Sequence, residues 1–190
     1  MDKKALRKSL IKTRTFLSDP EWKTKSDRLC DQLKSAPLFD RSNTILAYFS
    51  FRQEPDLSPL FNSPHQWGFP RCVGKSLIWH SWQPGDRLNH GAYGIREPDP
   101  TAPTLSPDDV DLILVPAVAC DRRGYRLGYG GGFYDRLLSN PNWSEKPTIG
   151  IVFEFARLPE LPIDPWDKPL QAVCTDEGFL PLQAEVSRQE

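Results

Sequence analysis

The chain has 190 residues, of which 38% are hydrophobic and 26% charged, and its formal net charge is -1. This length suits one well-buried core, so we expect a single domain over residues 1–190. The near-neutral charge argues against wholesale nucleic-acid binding. No apolar run reaches the ~18 residues of a membrane span, and the charged start, MDKKALRKSLIK, does not resemble a secretory signal. We therefore expect a cytoplasmic protein that does not bind membranes.

The four cysteines are scattered along the chain and none belongs to a C-x-x-C pair. This spacing suits neither a zinc site nor a disulfide scaffold, so we expect buried free thiols.

The first 34 residues predict two helices. Leu6, Leu10 and Ile11 recur at helical spacing in the first. Ser18 or Asp19 can cap the second, which runs to about Lys34, and Glu21 completes a possible capping box with Ser18. Residues 1–34 hold ten Lys or Arg against five Asp or Glu. A solvated helix surface accounts for most of these basic side chains, and a few could instead contact an anionic ligand.

Continuous apolar segments predict buried strands at residues 44–51, 110–121 and 148–153. Shorter strands are expected near 67–72 and 77–82, with a short helix from Asp56, and residues 84–107 read as a surface excursion. The segment from 110 to 153 runs strand, glycine loop, helix and strand, which predicts a right-handed parallel crossover. The predicted fold class is α/β: one open, mostly parallel sheet with helices on both faces, a Rossmann-like three-layer arrangement. Ligands are then expected at the carboxyl ends of the strands.

The segment RLGYGGGFYDR, residues 126–136, has four glycines within five positions. Glycine reaches positive φ cheaply and lets a ligand approach the main chain, so such a loop before a helix favours a phosphate site. The alternative is a tight surface turn without a ligand. The loop lacks the dinucleotide-binding pattern, because Phe133 follows Gly130 by three residues. Upstream, CVGKS ends like a Walker A loop but lies between two extended segments, which predicts a hairpin turn.

The longer segment DLILVPAVACDRRGYRLGYGGGFYDRLL, residues 111–138, resembles the signature of the 5-formyltetrahydrofolate cyclo-ligase family, also called 5,10-methenyltetrahydrofolate synthetases. Shorter resemblances extend along the chain: KKALR (3–7), YFSFRQEPD (48–56), YGIREP (93–98) and LPIDPWDKPLQAV (161–173). The resemblance implies that ATP phosphorylates the formyl oxygen on N5 of the folate. N10 then attacks the formyl carbon, and loss of phosphate leaves the 5,10-methenyl bridge.

The resemblance also implies the site residues and ligands. Glu54 and Arg126 would be catalytic, and 5-formyltetrahydrofolate would lie against Phe49, Glu54 and Phe133. Mg²⁺ would be held by Asp135 and Asp167, hard oxygen ligands that can share the ion with ATP phosphates. The nucleotide would contact an N-terminal basic element and the whole glycine loop: Lys3, Lys4, Arg7, Arg126, Leu127, Gly128, Tyr129, Gly130, Gly131, Gly132, Phe133 and Tyr134.

One position departs from the family pattern. Many relatives have Asp where this chain has Gln171, so metal binding near Asp167 could be weaker. One rival reading is a catalytically weak homologue that binds nucleotide or folate as a regulator. Another is a sugar-phosphate isomerase or acyl-CoA transferase, which would not explain Lys3 and Arg7 together with this loop. We expect a monomer whose ligands are the folate and MgATP.

Overall fold

The computed structural model describes residues 2–91 and 93–182. The helices are α1 (Lys3–Thr15), α2 (Asp19–Lys34), α3 (Pro37–Asp40), α4 (Phe133–Ser139) and α5 (Pro141–Ser144). The strands are β1 (Thr44–Leu46), β2 (Gln66–Val73), β3 (Ser76–Ser81), β4 (Leu88–His90), β5 (Arg96–Pro98), β6 (Leu112–Pro116), β7 (Ala119–Asp121), β8 (Arg126–Leu127), β9 (Thr148–Ile151), β10 (Arg157–Leu158), β11 (Ala172–Cys174) and β12 (Phe179–Pro181). Short 3-10 turns cover Ser58–Leu60, Pro107–Asp109 and Glu154–Ala156.

Seven strands form the central sheet in the order β12-β11-β9-β6-β1-β2-β3. The five inner strands are parallel to their neighbours, and β12 and β3 are antiparallel edge strands. In the middle of the sheet, Ile45 lies opposite Trp67 on one side and Leu112 on the other. The predicted α/β class with a mostly parallel sheet is confirmed.

Helices cover both faces of this sheet. Successive strand side chains point to opposite faces, so Ile45 and Leu46 belong to different cores. Ile45 packs with Leu29 and Leu33 of α2, whereas Leu46 belongs to the core that includes Leu137 of α4. Leu6, Leu10 and Ile11 of α1 pack onto this second core. The alternation explains why the inner strands have continuous apolar sequences.

Two strands are shorter in the structure than the sequence predicts. Residues 44–51 form a strand only at Thr44–Leu46, although the next three residues stay buried. Residues 110–121 form two strands in different sheets: β6 ends at Pro116, and β7 pairs with β8 and β10 in a small second sheet. Proline has no N–H to continue a ladder, which is one reason for the break. Apolar pattern alone does not locate such a departure.

Of the other local predictions, the capping box and the hairpin turn are confirmed, whereas the expected helix and surface excursion differ in part. Ser18 and Glu21 form the capping box of α2. The CVGKS segment is the β2–β3 hairpin turn, where Gly74 has a φ of 60°. The helix expected from Asp56 is only the 3-10 turn Ser58–Leu60. The predicted surface excursion contains the β4–β5 hairpin, in which Glu97 is buried.

The cysteines are free thiols, as expected; Cys30, Cys120 and Cys174 are buried and Cys72 is half-buried. In the two described ranges, no helix has the length and apolar character needed to cross a bilayer.

Candidate functional site

The chain reverses its direction across the central sheet between β1 and β6. From β1 it proceeds to β2 and β3 on one side, whereas β6, β9 and β11 follow on the other. In open α/β sheets such a switch point leaves a crevice at the carboxyl ends of the two strands, where ligands commonly bind. The segment that follows β1 carries Glu54, and Ala117 directly follows β6.

A tight turn holds Glu54 in this crevice. Arg52 and Gln53 have φ values of 48° and 55°, and the Glu54 N–H donates to the Phe51 carbonyl at 3.1 Å. Left-handed backbone costs about 1–2 kcal/mol for each non-glycine residue. Strain of this kind concentrates at functional sites, where surrounding contacts maintain it. The Glu54 carbonyl accepts two such contacts, from Trp22 Nε1 and Ser50 Oγ, each at 2.8 Å.

The Glu54 side chain is a buried carboxyl with few donors. The residue is 4% exposed, and its Oε2 accepts from the Phe51 N–H at 3.1 Å. Burial raises the pKa of Glu54 to about 7, against the opposing effects of the Arg14 charge, the Phe51 N–H and the Tyr129 hydroxyl. A carboxyl with this pKa can hold a hydrogen-bond donor or exchange a proton near neutral pH.

Arg14 is the buried cation nearest to this chemistry. Its Nε donates to the Arg52 carbonyl at 3.0 Å and its Nη1 to the Ala117 carbonyl at 3.5 Å, while Nη2 donates to the Tyr129 hydroxyl. The guanidinium therefore joins the Glu54 turn, the end of β6 and the glycine loop. Sequence reasoning missed Arg14 and treated it as surface charge. Its spacing was the available signal, because residues 7 and 14 of a helix lie on one face.

The N-terminal helix also meets the glycine loop. Arg7 Nε donates to the Gly128 carbonyl at 2.6 Å. A Cβ atom added to Gly130 would lie 3.8 Å from the guanidinium carbon of Arg7. A Cβ atom added to Gly128 would have no neighbouring heavy atom within 4 Å. Gly130 and Gly132 have φ values of 99° and 68°, which only glycine adopts cheaply. The helix predicted after the glycine loop begins at Phe133.

Two predicted metal ligands are ion-paired beside this loop. Lys3 Nζ lies 2.5 Å from Asp167 Oδ2 and 2.6 Å from Asp164 Oδ2, and Arg126 Nη2 lies 2.5 Å from Asp135 Oδ1. Burial opposes the charge of Lys3, but the hydrogen bonds to both acids raise its pKa overall. Arg126 Nη1 also donates to the Lys168 carbonyl at 3.2 Å, which connects the two pairs. Asp164 was not predicted; the D-P-W-D turn, in which the Asp164 N–H donates to Asp167 Oδ2 at 2.8 Å, explains its presence.

The predicted folate residues are in different environments. Phe49 is buried and stacks on Phe69 with ring centroids 4.1 Å apart. Phe133 is half-buried, and its ring centroid lies 6.0 Å from that of the exposed Tyr93. Over the described part of the chain, no hydrogen bond or ring contact joins Phe133 to Phe49 or Glu54.

Two further predicted positions lie on the surface, since Lys4 and Gln171 are both exposed. No cluster of three or more His, Cys, Asp or Glu side chains suited to a metal occurs within residues 2–91 and 93–182.

Comparison with known proteins finds similarity along most of the chain. A model of the 5-formyltetrahydrofolate cyclo-ligase family matches residues 1–176. The 5-formyltetrahydrofolate cyclo-ligase of Mycolicibacterium smegmatis is 30% identical over 193 residues, covering 95% of this chain and 97% of the relative. That of Escherichia coli K12 is 28% identical over 171 residues, covering 85% and 93%. The NMR structure of the Aquifex aeolicus 5,10-methenyltetrahydrofolate synthetase superimposes with a TM-score of 0.86 at 34% identity, covering 100% of this chain and 97% of that one.

Proposed function

The chain belongs to the 5-formyltetrahydrofolate cyclo-ligase family, and we propose that it converts 5-formyltetrahydrofolate and ATP into 5,10-methenyltetrahydrofolate, ADP and phosphate. A formamide is a poor electrophile, because its nitrogen lone pair is delocalised, and its oxygen is a poor leaving group. Transfer of the γ-phosphoryl group to the formyl oxygen removes both obstacles. N10 then attacks the formyl carbon and loses its proton, and phosphate leaves with the formyl oxygen.

The observation that carries the proposal is the buried carboxyl of Glu54 at the sheet's switch point, linked through Tyr129 to the glycine loop. Folate is a flat molecule with several ring N–H donors, and a carboxylate held in an apolar site accepts such donors strongly. Glu54 is therefore assigned to the pterin or the reacting amide. Phe133, at the edge of the loop, supplies a flat apolar wall. Phe49 is assigned a supporting position in the core behind the pocket.

The nucleotide is assigned to the glycine loop and the basic face of α1. Arg7 already contacts the loop through Nε, which leaves its other nitrogens directed along Gly130. Arg126 and Lys3 add two cations within the same region. Positive charge and backbone N–H donors around transferring phosphates are the main means by which proteins accelerate phosphoryl transfer. Lys4 is exposed and can contribute only at the outer edge.

Magnesium fits the acids beside this loop. Mg²⁺ is usually held by one or two carboxylates together with substrate phosphates, so Asp135 and Asp167 suffice in number and chemistry. Both are half-buried and both face a basic side chain. We assign them to the ion that accompanies ATP, where it would neutralise phosphate charge. Lys3 and Arg126 are then free to bind phosphate oxygens when the carboxylates bind the metal.

The direct test uses purified protein with 5-formyltetrahydrofolate and follows the absorbance of the methenyl chromophore. We expect product only when ATP and Mg²⁺ are both present, with one ADP for each methenyl group. Formation at full rate without nucleotide would exclude an ATP-driven ligase. Tight binding of both ligands with no turnover would instead support the regulatory homologue suggested by Gln171.

A further inference from the structure

We propose that Arg14 is a positioning residue whose buried guanidinium couples the glycine loop to Glu54. The position of the loop would then determine the hydrogen-bond donors and charge around the carboxyl that is assigned to the folate. This inference rests on the proposed function, because it assigns the two ends of the coupling to nucleotide and folate.

The contacts of Arg14 span segments that are far apart in the chain. The residue is 4% exposed, although it belongs to a helix whose other basic side chains are exposed or half-buried. Its acceptors follow β1, follow β6 and lie in the glycine loop: the Arg52 carbonyl, the Ala117 carbonyl and the Tyr129 hydroxyl. A rigid planar guanidinium can satisfy three such acceptors at once, whereas an ammonium group at this distance cannot reproduce that geometry.

The charge of Arg14 requires a counter-charge in the same buried region. An isolated buried cation is strongly unfavourable unless it is paired or fully hydrogen-bonded. Its acceptors are two carbonyls and a phenol, all neutral, and the acid within electrostatic reach is Glu54. The other ionisable groups that interact with Glu54 are Tyr48 from the segment after β1, Tyr129 from the loop and Tyr134 from α4. Among these described groups, Arg14 alone is positive.

Tyr129 completes the connection. Its hydroxyl accepts from Arg14 and lies close enough to the Glu54 carboxyl to lower the pKa of that group. The tyrosine lies between Gly128 and Gly130, so a shift of the loop moves the hydroxyl. Any nucleotide-induced movement of the loop therefore changes the donors around Glu54. This coupling gives a reason for the burial of a basic residue beside the loop.

The kinetic test compares Arg14→Met and Arg14→Lys with Lys12→Met, a control that removes an exposed charge from the same helix. Removing a neighbouring positive charge raises a carboxyl pKa by about one unit or more. We expect Arg14→Met to shift the acidic limb of the kcat/KM profile for folate upward by about one pH unit and to lower kcat about 10- to 100-fold. Arg14→Lys should restore the limb but only part of kcat. Lys12→Met should match the unaltered chain.

A second variant covers the case in which Arg14→Met does not fold. Tyr129→Phe keeps the ring of a partly exposed residue but removes the hydroxyl that accepts from Arg14 and lies beside Glu54. It should also move the acidic limb upward. If the Arg14 or Tyr129 variants lose stability but keep the acidic limb of the pH profile at the same pH, Arg14 has only a structural role and the inference is overturned.

The coupling can also be measured without turnover. In the ligand-free protein labelled with ¹³C at glutamate carboxyls, the Glu54 signal is assigned by its loss in Glu54→Gln. Its titration should move upward in Arg14→Met and Tyr129→Phe and remain unchanged in Lys12→Met. If the pH midpoint of the Glu54 signal is the same in Arg14→Met, Tyr129→Phe and the unaltered chain, the coupling is refuted, whatever the activity of the variants. A titration that shifts in a protein without cyclo-ligase activity would instead overturn the proposed function and leave the contact network in place.

Discussion

Burial of the Glu54 carboxyl serves the proposed reaction but lowers the stability of the folded protein when the group is ionised. An acid whose pKa is about 7 in the folded protein and near 4.5 in the unfolded chain binds more protons when folded. Between these two pKa values, the contribution of Glu54 to the free energy of unfolding is largest at the acidic end and decreases as pH rises. Above pH 7 the ionised group remains buried, and the loss reaches about 3 kcal/mol at most. The strained turn at Arg52 and Gln53 adds to this cost at the same place.

Glu54→Gln should therefore stabilise the protein at pH 8 while it damages the reaction. We expect the melting temperature at pH 8 to rise by about 5 °C, and the gain to vanish as pH falls below the unfolded-state pKa near 4.5, where the Glu54 carboxyl is protonated in both states. The value of kcat/KM for 5-formyltetrahydrofolate should fall roughly 10- to 100-fold, since a charge-assisted hydrogen bond is lost. Melting curves across pH and steady-state kinetics measure both effects.

The control for this change is Glu145→Gln, which alters an exposed glutamate after α5. It should leave melting temperature and rate unchanged at every pH. A Glu54→Gln protein that is less stable than the unaltered chain at pH 8 would contradict a buried, unfavourable charge.

Single residues show where sequence reasoning succeeds and where it stops. Lys3, Arg7 and Asp167 were named from motif resemblance, and the structure brings Lys3 to Asp167 and Arg7 to the loop. Arg14 was missed because its role depends on acceptors 38, 103 and 115 residues away. Nor does a sequence reveal that two ordinary residues, Arg52 and Gln53, have left-handed backbone. Their conformation is imposed by tertiary contacts, not by residue type.

At the scale of elements, the glycine loop has two positions that need glycine for their backbone conformation, Gly130 and Gly132, and two that do not, Gly128 and Gly131. Gly130 and Gly132 have positive φ, so any substitution there strains the free protein. Gly128 has an ordinary φ, and a Cβ atom built on it would find open space. A methyl group at position 128 therefore probes the ligand without disturbing the loop.

Gly128→Ala should leave the melting temperature unchanged and raise the KM for ATP about tenfold, because the methyl group obstructs close approach of phosphate to the main chain. The KM for folate should not change. Gly178→Ala is the matched control, since its Cβ atom also meets no neighbour within 4 Å and its φ is ordinary. If both alanine variants use ATP like the unaltered chain, this part of the loop is a surface turn.

Elements were predicted well where local chemistry determines them. The Ser18–Glu21 capping box and the glycine turn at residue 74 are encoded within a few residues, and both were found. The end of β6 is different. Residues 112–120 are apolar throughout, yet the chain crosses to a second sheet after Pro116, where the Val118 N–H donates to the Leu127 carbonyl. Both sheets bury these residues equally, so hydrophobicity could not distinguish them.

For the whole molecule, α1 is attached to the core by few buried apolar contacts. Its one buried residue is Arg14, and its apolar side chains pack only partly buried against the core. Three polar contacts hold it across the sheet's carboxyl edge: Lys3 to the 164–167 turn, Arg7 to the glycine loop and Arg14 to the Glu54 turn. Elements with few buried apolar contacts open locally at lower free energy than the core strands. The helix that contributes most cations to the site is thus expected to open more easily than the core strands.

This arrangement predicts that the nucleotide orders α1. A ligand at a concentration of about 100 times its dissociation constant stabilises the bound form by about 3 kcal/mol. If α1 opens without unfolding of the whole protein, this stabilisation slows its amide hydrogen exchange directly. We expect MgATP to slow amide hydrogen exchange in α1 by about tenfold or more, with little change in the inner strands β6 and β9. Mass spectrometry of the exchanged protein resolves these segments.

The matched variants are Arg7→Ala and Lys8→Ala, which remove neighbouring basic side chains from the same helix. Arg7 contacts the loop, whereas Lys8 is exposed. Arg7→Ala should abolish most of the MgATP-dependent protection of α1 and raise the KM for ATP, while Lys8→Ala should preserve both. Point changes are preferable to deleting residues 1–8, because that deletion also removes the Asp2 cap of the helix and the Lys3 ion pairs. If MgATP binds but α1 exchanges at the same rate in all three proteins, the basic face of the helix is solvated surface and the nucleotide lies elsewhere along the loop.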